Sequence, residues 1–126
     1  MKPCLFVDTD VVLDLLALRE PFYGAAARLF SEAEAGNLTL CVSSLTFANL
    51  FYLLRKQHSG LQAQQVLRTF KQLVSVVAVD DAIVEQALHA GFTDFEDALQ
   101  YFCALSARCS GLITRNVRHY RKSSIR

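Results

Sequence analysis

The sequence has no tryptophan, a single methionine, two prolines and five glycines in 126 residues. So few chain breakers leave little room for linkers, and no internal repeat or low-complexity segment interrupts the chain. Its length suggests one domain spanning residues 1–126. No stretch is both long and apolar enough to cross a bilayer. The apolar run that begins after Met1-Lys2-Pro3 stops at Asp8, too soon for the apolar part of a signal peptide, so a cytoplasmic location is expected. The four cysteines, Cys4, Cys41, Cys103 and Cys109, form no C-x-x-C pair and have no histidine at zinc-ligand spacing. They sit in or beside apolar runs and read as small core residues. His58 falls in a turn and His89 near a helix end, neither placed for catalysis. Ser43 and Ser44 have no evident His and Asp partners, which leaves a serine triad unsupported.

Against these absences stand 52% hydrophobic and 20% charged residues, enough to bury a core and too apolar for a disordered chain. The net charge of +1 conceals an uneven distribution. The last twelve residues carry four Arg and one Lys without an acid, which leaves eight basic against twelve acidic residues before them, a net of −4. An acidic body with a basic end suggests one place for a cation and another for a polyanion. A solvated terminal segment is the plainer reading of the same run.

Strand-like and helix-like segments alternate. Residues 4–7 form an apolar run of strand length, and a helix follows at 11–18. A second helix is expected over 21–35, with Pro21 at its first position and Gly36-Asn37 past its end. Residues 38–42 are strand-like. Ser44 is placed to cap a helix over 45–57, and 61–73 reads as another. The valine-rich stretch 74–79 predicts a third strand, and a helix follows over 81–90. Thr93-Asp94-Phe95-Glu96 matches a capping box, with Thr93 as N-cap and Glu96 as its reciprocal partner, opening a helix to about residue 108. Residues 111–114 predict a fourth strand. Strands separated by helices imply crossover connections, hence an α/β fold with a parallel sheet covered on both faces.

Open parallel sheets bind ligands beyond the carboxyl ends of their strands. Those ends carry Asp8, Ser43-Ser44, Asp80-Asp81 and Thr114-Arg115-Asn116. A carboxylate at a buried sheet edge is costly unless balanced; for Asp8 the residues alone leave a helix cap and a metal ligand equally open. Asp94 and Asp97, three apart, share one helix face. Asp94 is explained as an acid in a helix's first turn and Glu96 as the capping-box partner, whereas Asp97 lies past the box and has no structural reason to be acidic. If Asp8 and Asp97 converge, they repel by up to ~4 kcal/mol at 4 Å in a surface-like dielectric. A divalent cation would remove that repulsion, and hard oxygen ligands suit Mg²⁺ or Mn²⁺.

Four blocks, in order, resemble the motifs of PIN domains. They are Leu5-Phe6-Val7-Asp8-Thr9-Asp10-Val11-Val12-Leu13-Asp14, Val42-Ser43-Ser44-Leu45-Thr46-Phe47-Ala48-Asn49-Leu50, Asp94-Phe95-Glu96-Asp97-Ala98-Leu99-Gln100 and Leu112-Ile113-Thr114-Arg115-Asn116. The subgroup most similar is the bacterial PIN proteins related to VapC toxins. The resemblance implies a three-layer fold, with a parallel sheet of about four strands between helices, and Mg²⁺- or Mn²⁺-dependent endonucleolytic cleavage of RNA. It implies Asp8 and Asp97 as metal-ligating acids, with Asp94 as an auxiliary one. Asn49 stands where many members have Glu, and Asn116 where many have Asp. His119-Tyr120 stands where an Asp-Phe is frequent. An Asn offers a carbonyl oxygen without charge, so metal affinity should fall. The family's pattern also has a further strand near its C-terminus, beyond where this sequence reaches Ser124-Ile125-Arg126. In the toxin reading, an antitoxin protein inserts a segment near the acidic pocket, and a homodimer is expected, with Phe47, Phe51 and Leu54 as contact candidates unless they are core. Arg115 and Arg118 are candidates for contacts with the RNA backbone.

Two other readings remain at this point. Asp8-Thr9-Asp10 after an apolar strand also resembles the opening of haloacid-dehalogenase-type phosphatases, where the first Asp is a phosphorylated nucleophile. Alternatively, with Asn at two usually acidic positions, the domain binds RNA or a protein without cleaving.

Overall fold

The computed structural model describes residues 2–115, so Asn116, Arg118 and the His119-Tyr120 pair lie outside the described residues. Four strands, β1 (Cys4–Val7), β2 (Thr39–Ser43), β3 (Ser75–Val77) and β4 (Gly111–Ile113), form one sheet in the order β3-β2-β1-β4, and every pairing is parallel. Six helices connect them: α1 (Thr9–Leu16), α2 (Tyr23–Glu34), α3 (Ser44–Leu54), α4 (Gly60–Lys71), α5 (Asp81–His89) and α6 (Phe95–Ser106).

The pleat sends alternate residues to opposite faces. Val7, Leu40 and Val42 point into a core built with α1 to α4, where Leu50, Phe70 and Phe30 are buried. Phe6 and Cys41 point the other way, against Ile83 and Ala87 of α5 and Ala98, Leu99 and Cys103 of α6. A side chain as fully buried as Phe6, Phe70, Leu40 or Leu50 stabilises by about 1.5–3 kcal/mol relative to exposure. Burial on both faces explains why the central strands read as continuous apolar runs. The two layers of helices and the sheet between them are the expected three-layer arrangement.

Several boundaries differ from the sequence expectation. Ser43 caps α3, accepting from the Thr46 N–H, while the hydroxyl of Ser44 accepts from the Val79 N–H. That bond diverts the chain after Val77, so β3, an edge strand paired with β2 alone, is shorter than the valine run. The carbonyl of Arg19 accepts from both Phe22 and Tyr23, and this turn holds Pro21 ahead of the second helix. Asp94, not Thr93, caps α6: its Oδ1 accepts from the N–H groups of Glu96 and Asp97, and Glu96 is released from the expected capping box. Leu54 is buried and Phe47 and Phe51 pack against the core, so the face of α3 offered as a subunit contact is interior; Tyr52 is its exposed aromatic residue.

Candidate metal centre

Three helices, α1, α3 and α6, converge at the carboxyl end of the sheet. Asp8 ends β1 and caps α1, Asp10 lies in that helix's first turn, Asn49 projects from α3, and Asp94, Glu96 and Asp97 open α6. Together with Thr9, Tyr52 and Leu53 they line a cleft of about 360 Å³ that, among the described residues, contains five carboxylates and no cationic side chain. Acids at a helix N-terminus meet the positive end of its dipole, worth ~0.3–1 kcal/mol each, which offsets part of their mutual repulsion.

Asp8 is held on both oxygens. Oδ1 accepts from the Thr9 N–H at 2.8 Å, and Oδ2 accepts from the Thr114 hydroxyl at 2.8 Å. The second bond exists because β4 lies beside β1 with Val7 opposite Ile113, which places Thr114 next to Asp8 across 106 residues. Burial pushes the Asp8 carboxyl above its ordinary range; the Thr114 bond pulls it back, and the charges of Asp10 and Asp97 push it further up. The alternatives of cap and ligand are therefore not exclusive: the capping oxygen and its carboxylate face the same cleft. Asp97 is 9% exposed. Glu96 is raised first by burial and then by Asp94, Asp8, Asp97 and Asp10, which records five acids acting on one volume. Asn49 donates its amide to Glu96 Oε1 at 2.8 Å.

Beneath the cleft a buried polar network ties the three helices. The hydroxyls of Thr9 and Thr46 lie 3.1 Å apart, Ser43 Oγ is 3.2 Å from Thr46 Oγ1, and the Gln100 amide donates to both threonines. Gln100 Oε1 is buried with no hydrogen-bond partner among the described residues. A network of this kind fixes the relative placement of α1, α3 and α6, because each unmade bond in the interior costs about 1–3 kcal/mol.

The donor set fits a hard divalent cation: oxygen atoms, carboxylates in excess, and the upward pKa shifts of Asp8 and Glu96, which a cation would reverse. Among the described residues, three acidic, thiol or imidazole donor atoms come within 4.8 Å of one another only at a cysteine cluster elsewhere. The cleft thus offers its carboxylates singly or in pairs, which suits an ion that keeps several of its waters, as Mg²⁺ does.

The acids singled out in the sequence, Asp8, Asp94 and Asp97, converge here, as does Asn49. Asp10 and Glu96 line the same cleft, a role that the sequence hides for Glu96 because its spacing from Thr93 also fits a capping box. Arg115 goes elsewhere. Its guanidinium makes a two-point ion pair with Asp14, at 2.9 and 3.2 Å, and stands 4.0 Å over the Phe22 ring. Asp14 is almost fully buried and also pairs with Arg19 at 3.2 Å.

A family model, that of the PIN domain, matches residues 5–118. The chain belongs to the PIN domain family. All four motif blocks, including the three that the phosphatase resemblance does not cover, lie within this one match. No curated protein sequence is significantly similar to this PIN chain. Solved structures similar in fold include VapBC2 from Rickettsia felis bound to a DNA fragment from its promoter, with TM-score 0.69, 17% identity, and coverage of 96% of this chain and 93% of that one. A toxin-antitoxin complex from Klebsiella pneumoniae superposes with TM-score 0.71 at 21% identity, covering 93% and 90% of the two chains. Mycobacterium tuberculosis VapC20, a toxin that cleaves the sarcin-ricin loop, gives TM-score 0.67 at 19% identity over 86% of each chain. No helix among the described residues of the PIN domain is long and apolar enough to cross a membrane.

Proposed function

We infer that the chain is a single PIN-type domain acting as a divalent-metal-dependent endoribonuclease, the toxin of a toxin-antitoxin pair. The observation that carries this reading is the convergence of five carboxylates at the carboxyl end of a parallel sheet, with no cationic side chain among the described residues of the cleft. PIN domains are generally ribonucleases, and the structures of similar fold named above are toxins or toxin-antitoxin complexes. An antitoxin protein is therefore the expected partner, with a homodimer as the expected assembly and the cytoplasm as the expected compartment.

In this reading Asp8 and Asp97 hold the cation and Asp94 stands beside them. A bound Mg²⁺ or Mn²⁺ supplies an activated water and neutralises charge on the scissile phosphate. Thr114 orients the Asp8 carboxylate, Asn49 holds Glu96 at the cleft wall, and the Thr9, Thr46 and Gln100 network fixes the helices that carry the acids. Asn116 and Arg118, which lie outside the described residues, are proposed from their motif positions alone as a further site residue and an RNA contact. Arg115, which stays partly exposed beside Asp14, and Arg118 are the residues assigned to the RNA backbone, with the salt sensitivity such contacts bring.

Calorimetric titration with Mn²⁺, followed by an RNA cleavage assay, tests the reading. The native chain should bind and cleave, and Asp8→Asn with Asp97→Asn should do neither; unchanged metal-dependent cleavage in the double variant would sink the assignment. The hydrogen bond that commits Asn49 to Glu96 favours a second reading, a PIN scaffold that binds RNA or protein without hydrolysis. RNA affinity without metal-stimulated cleavage would establish that alternative.

A further inference from the structure

The sequence separates Cys4, Cys41 and Cys109 so widely that no metal-ligand spacing joins them, yet the fold brings their sulfurs together. Cys4 Sγ lies 3.2 Å from Cys41 Sγ and 3.4 Å from Cys109 Sγ, and all three atoms lie within 4.8 Å of one another. Three different elements deliver them. In the β1–β2 register Phe6 pairs with Cys41, and Cys4, two residues before Phe6, projects from the same face of the sheet. Cys109 arrives through the end of α6, where the N–H of Cys109 bonds the Ala104 carbonyl, that of Arg108 bonds the Leu105 carbonyl, and Arg108 takes φ 58. This is a helix-ending turn that ordinarily uses glycine at the left-handed position. With Arg there it costs about 1–2 kcal/mol, and the turn sets Cys109 against the other two. The Ser110 N–H and hydroxyl, both bonded to the Cys4 carbonyl, fix the same junction from the other side.

We propose that Cys4, Cys41 and Cys109 form a three-thiolate site for a soft, thiophilic d¹⁰ cation, Zn²⁺ or Cu⁺, separate from the acidic cleft. Four tetrahedral sulfurs at a Zn–S distance of ~2.3 Å stand ~3.8 Å apart, so the observed separations need to open by only about half an ångström. Thiolate donors select soft cations, whereas the carboxylates of the cleft select hard ones, so the two sites do not compete for the same ion. Cys41 and Cys109 are buried and Cys4 is half-buried, which leaves one open side for entry and for a water as a further ligand. No histidine or carboxylate joins the three among the described residues. Binding displaces the thiol protons to solvent, so affinity rises with pH. Cys4 stands four residues before Asp8 on an extended strand, which puts the two sites roughly 13 Å apart.

The test is Co²⁺ titration of the full chain, reduced with a phosphine so that no added thiol competes, reading sulfur-to-cobalt charge transfer in the near ultraviolet. An all-oxygen site cannot give that band. The band should saturate at one equivalent, survive Asp8→Asn with Asp97→Asn, survive Cys103→Ala, and disappear in Cys41→Ser and Cys109→Ser. Displacement of Co²⁺ by Zn²⁺, or by Cu⁺ alone, identifies the preferred ion. Absence of the band, or its survival in both serine variants, overturns the proposal. If those buried variants do not fold by circular dichroism, the native chain decides: Zn²⁺ or Cu⁺ should slow alkylation of Cys4 by iodoacetamide, and equal rates with and without either ion overturn the proposal as well.

Discussion

The side-chain amide of Asn49 donates to Glu96 Oε1 at 2.8 Å, joining α3 to the first turn of α6 across the acidic cleft. The motif resemblance puts Asn49 where many PIN members have Glu; the side chain is neutral and spends its donor on one of the carboxylates. The bond restrains Glu96 and offsets part of the repulsion that the other acids impose on it.

Asn49→Glu should therefore act in opposite directions with and without metal. Without it, the lost bond and the added charge lower stability by about 1–2 kcal/mol. With Mn²⁺, the extra charged ligand raises affinity on the order of tenfold. Thermal unfolding of both chains with and without Mn²⁺ reads both effects, and an equal metal-induced shift in native and variant would contradict the prediction.

The pH dependence of the metal-free chain follows from Asp8 and Glu96, both raised in the folded state, first by burial. A raised carboxyl binds more protons folded than unfolded, so stability is greatest below the unfolded value and falls as pH rises through the folded one. Denaturant unfolding across the acidic range should show these two groups destabilising the chain as pH rises toward neutrality. Saturating Mn²⁺ should flatten the dependence, because the ion favours the ionised forms.

Thr114→Val keeps the shape of the side chain and removes the hydroxyl that Asp8 Oδ2 accepts from. A hydrogen bond to a charged group is worth about 1.5–3 kcal/mol, and Asp8 loses its largest acid-strengthening contact. The variant should be less stable by that amount at neutral pH and should bind Mn²⁺ with a midpoint moved to higher pH, since the cation must displace a more tightly held proton. An unshifted binding profile would show that Thr114 does not orient Asp8.

Arg115→Ala strips one of two cations from the buried Asp14. Arg19 remains, so the loss should be about 1–3 kcal/mol rather than the full penalty of an unpaired buried charge. Arg115→Lys should recover little, because a single ammonium cannot reproduce the two-point pair or the stacking on Phe22. Chemical denaturation measures both variants; Mn²⁺ affinity should be unaltered in each.

The sequence by itself determined the alternation of strands and helices, the parallel sheet with two buried faces, and the strand ends that carry Asp8 and Ser43. It did so because hydrophobic periodicity and capping residues are local signals, and both faces of the sheet had to be apolar. It also marked Asp97 as an acid without a local role. Only the tertiary structure decided which groups meet. Strand order set β4 beside β1 and thereby gave Asp8 its Thr114 donor. Asp94, with two N–H groups in reach, displaced Thr93 as the cap and freed Glu96 for the cleft, a choice that short-range spacing leaves degenerate. The same packing turned Phe47, Phe51 and Leu54 inward, anchored Arg115 on Asp14, and gathered three thiols from positions 37 and 105 residues apart in the chain. Long-range contacts of this kind depend on register and on strand neighbours, and neither is written in any window of adjacent residues.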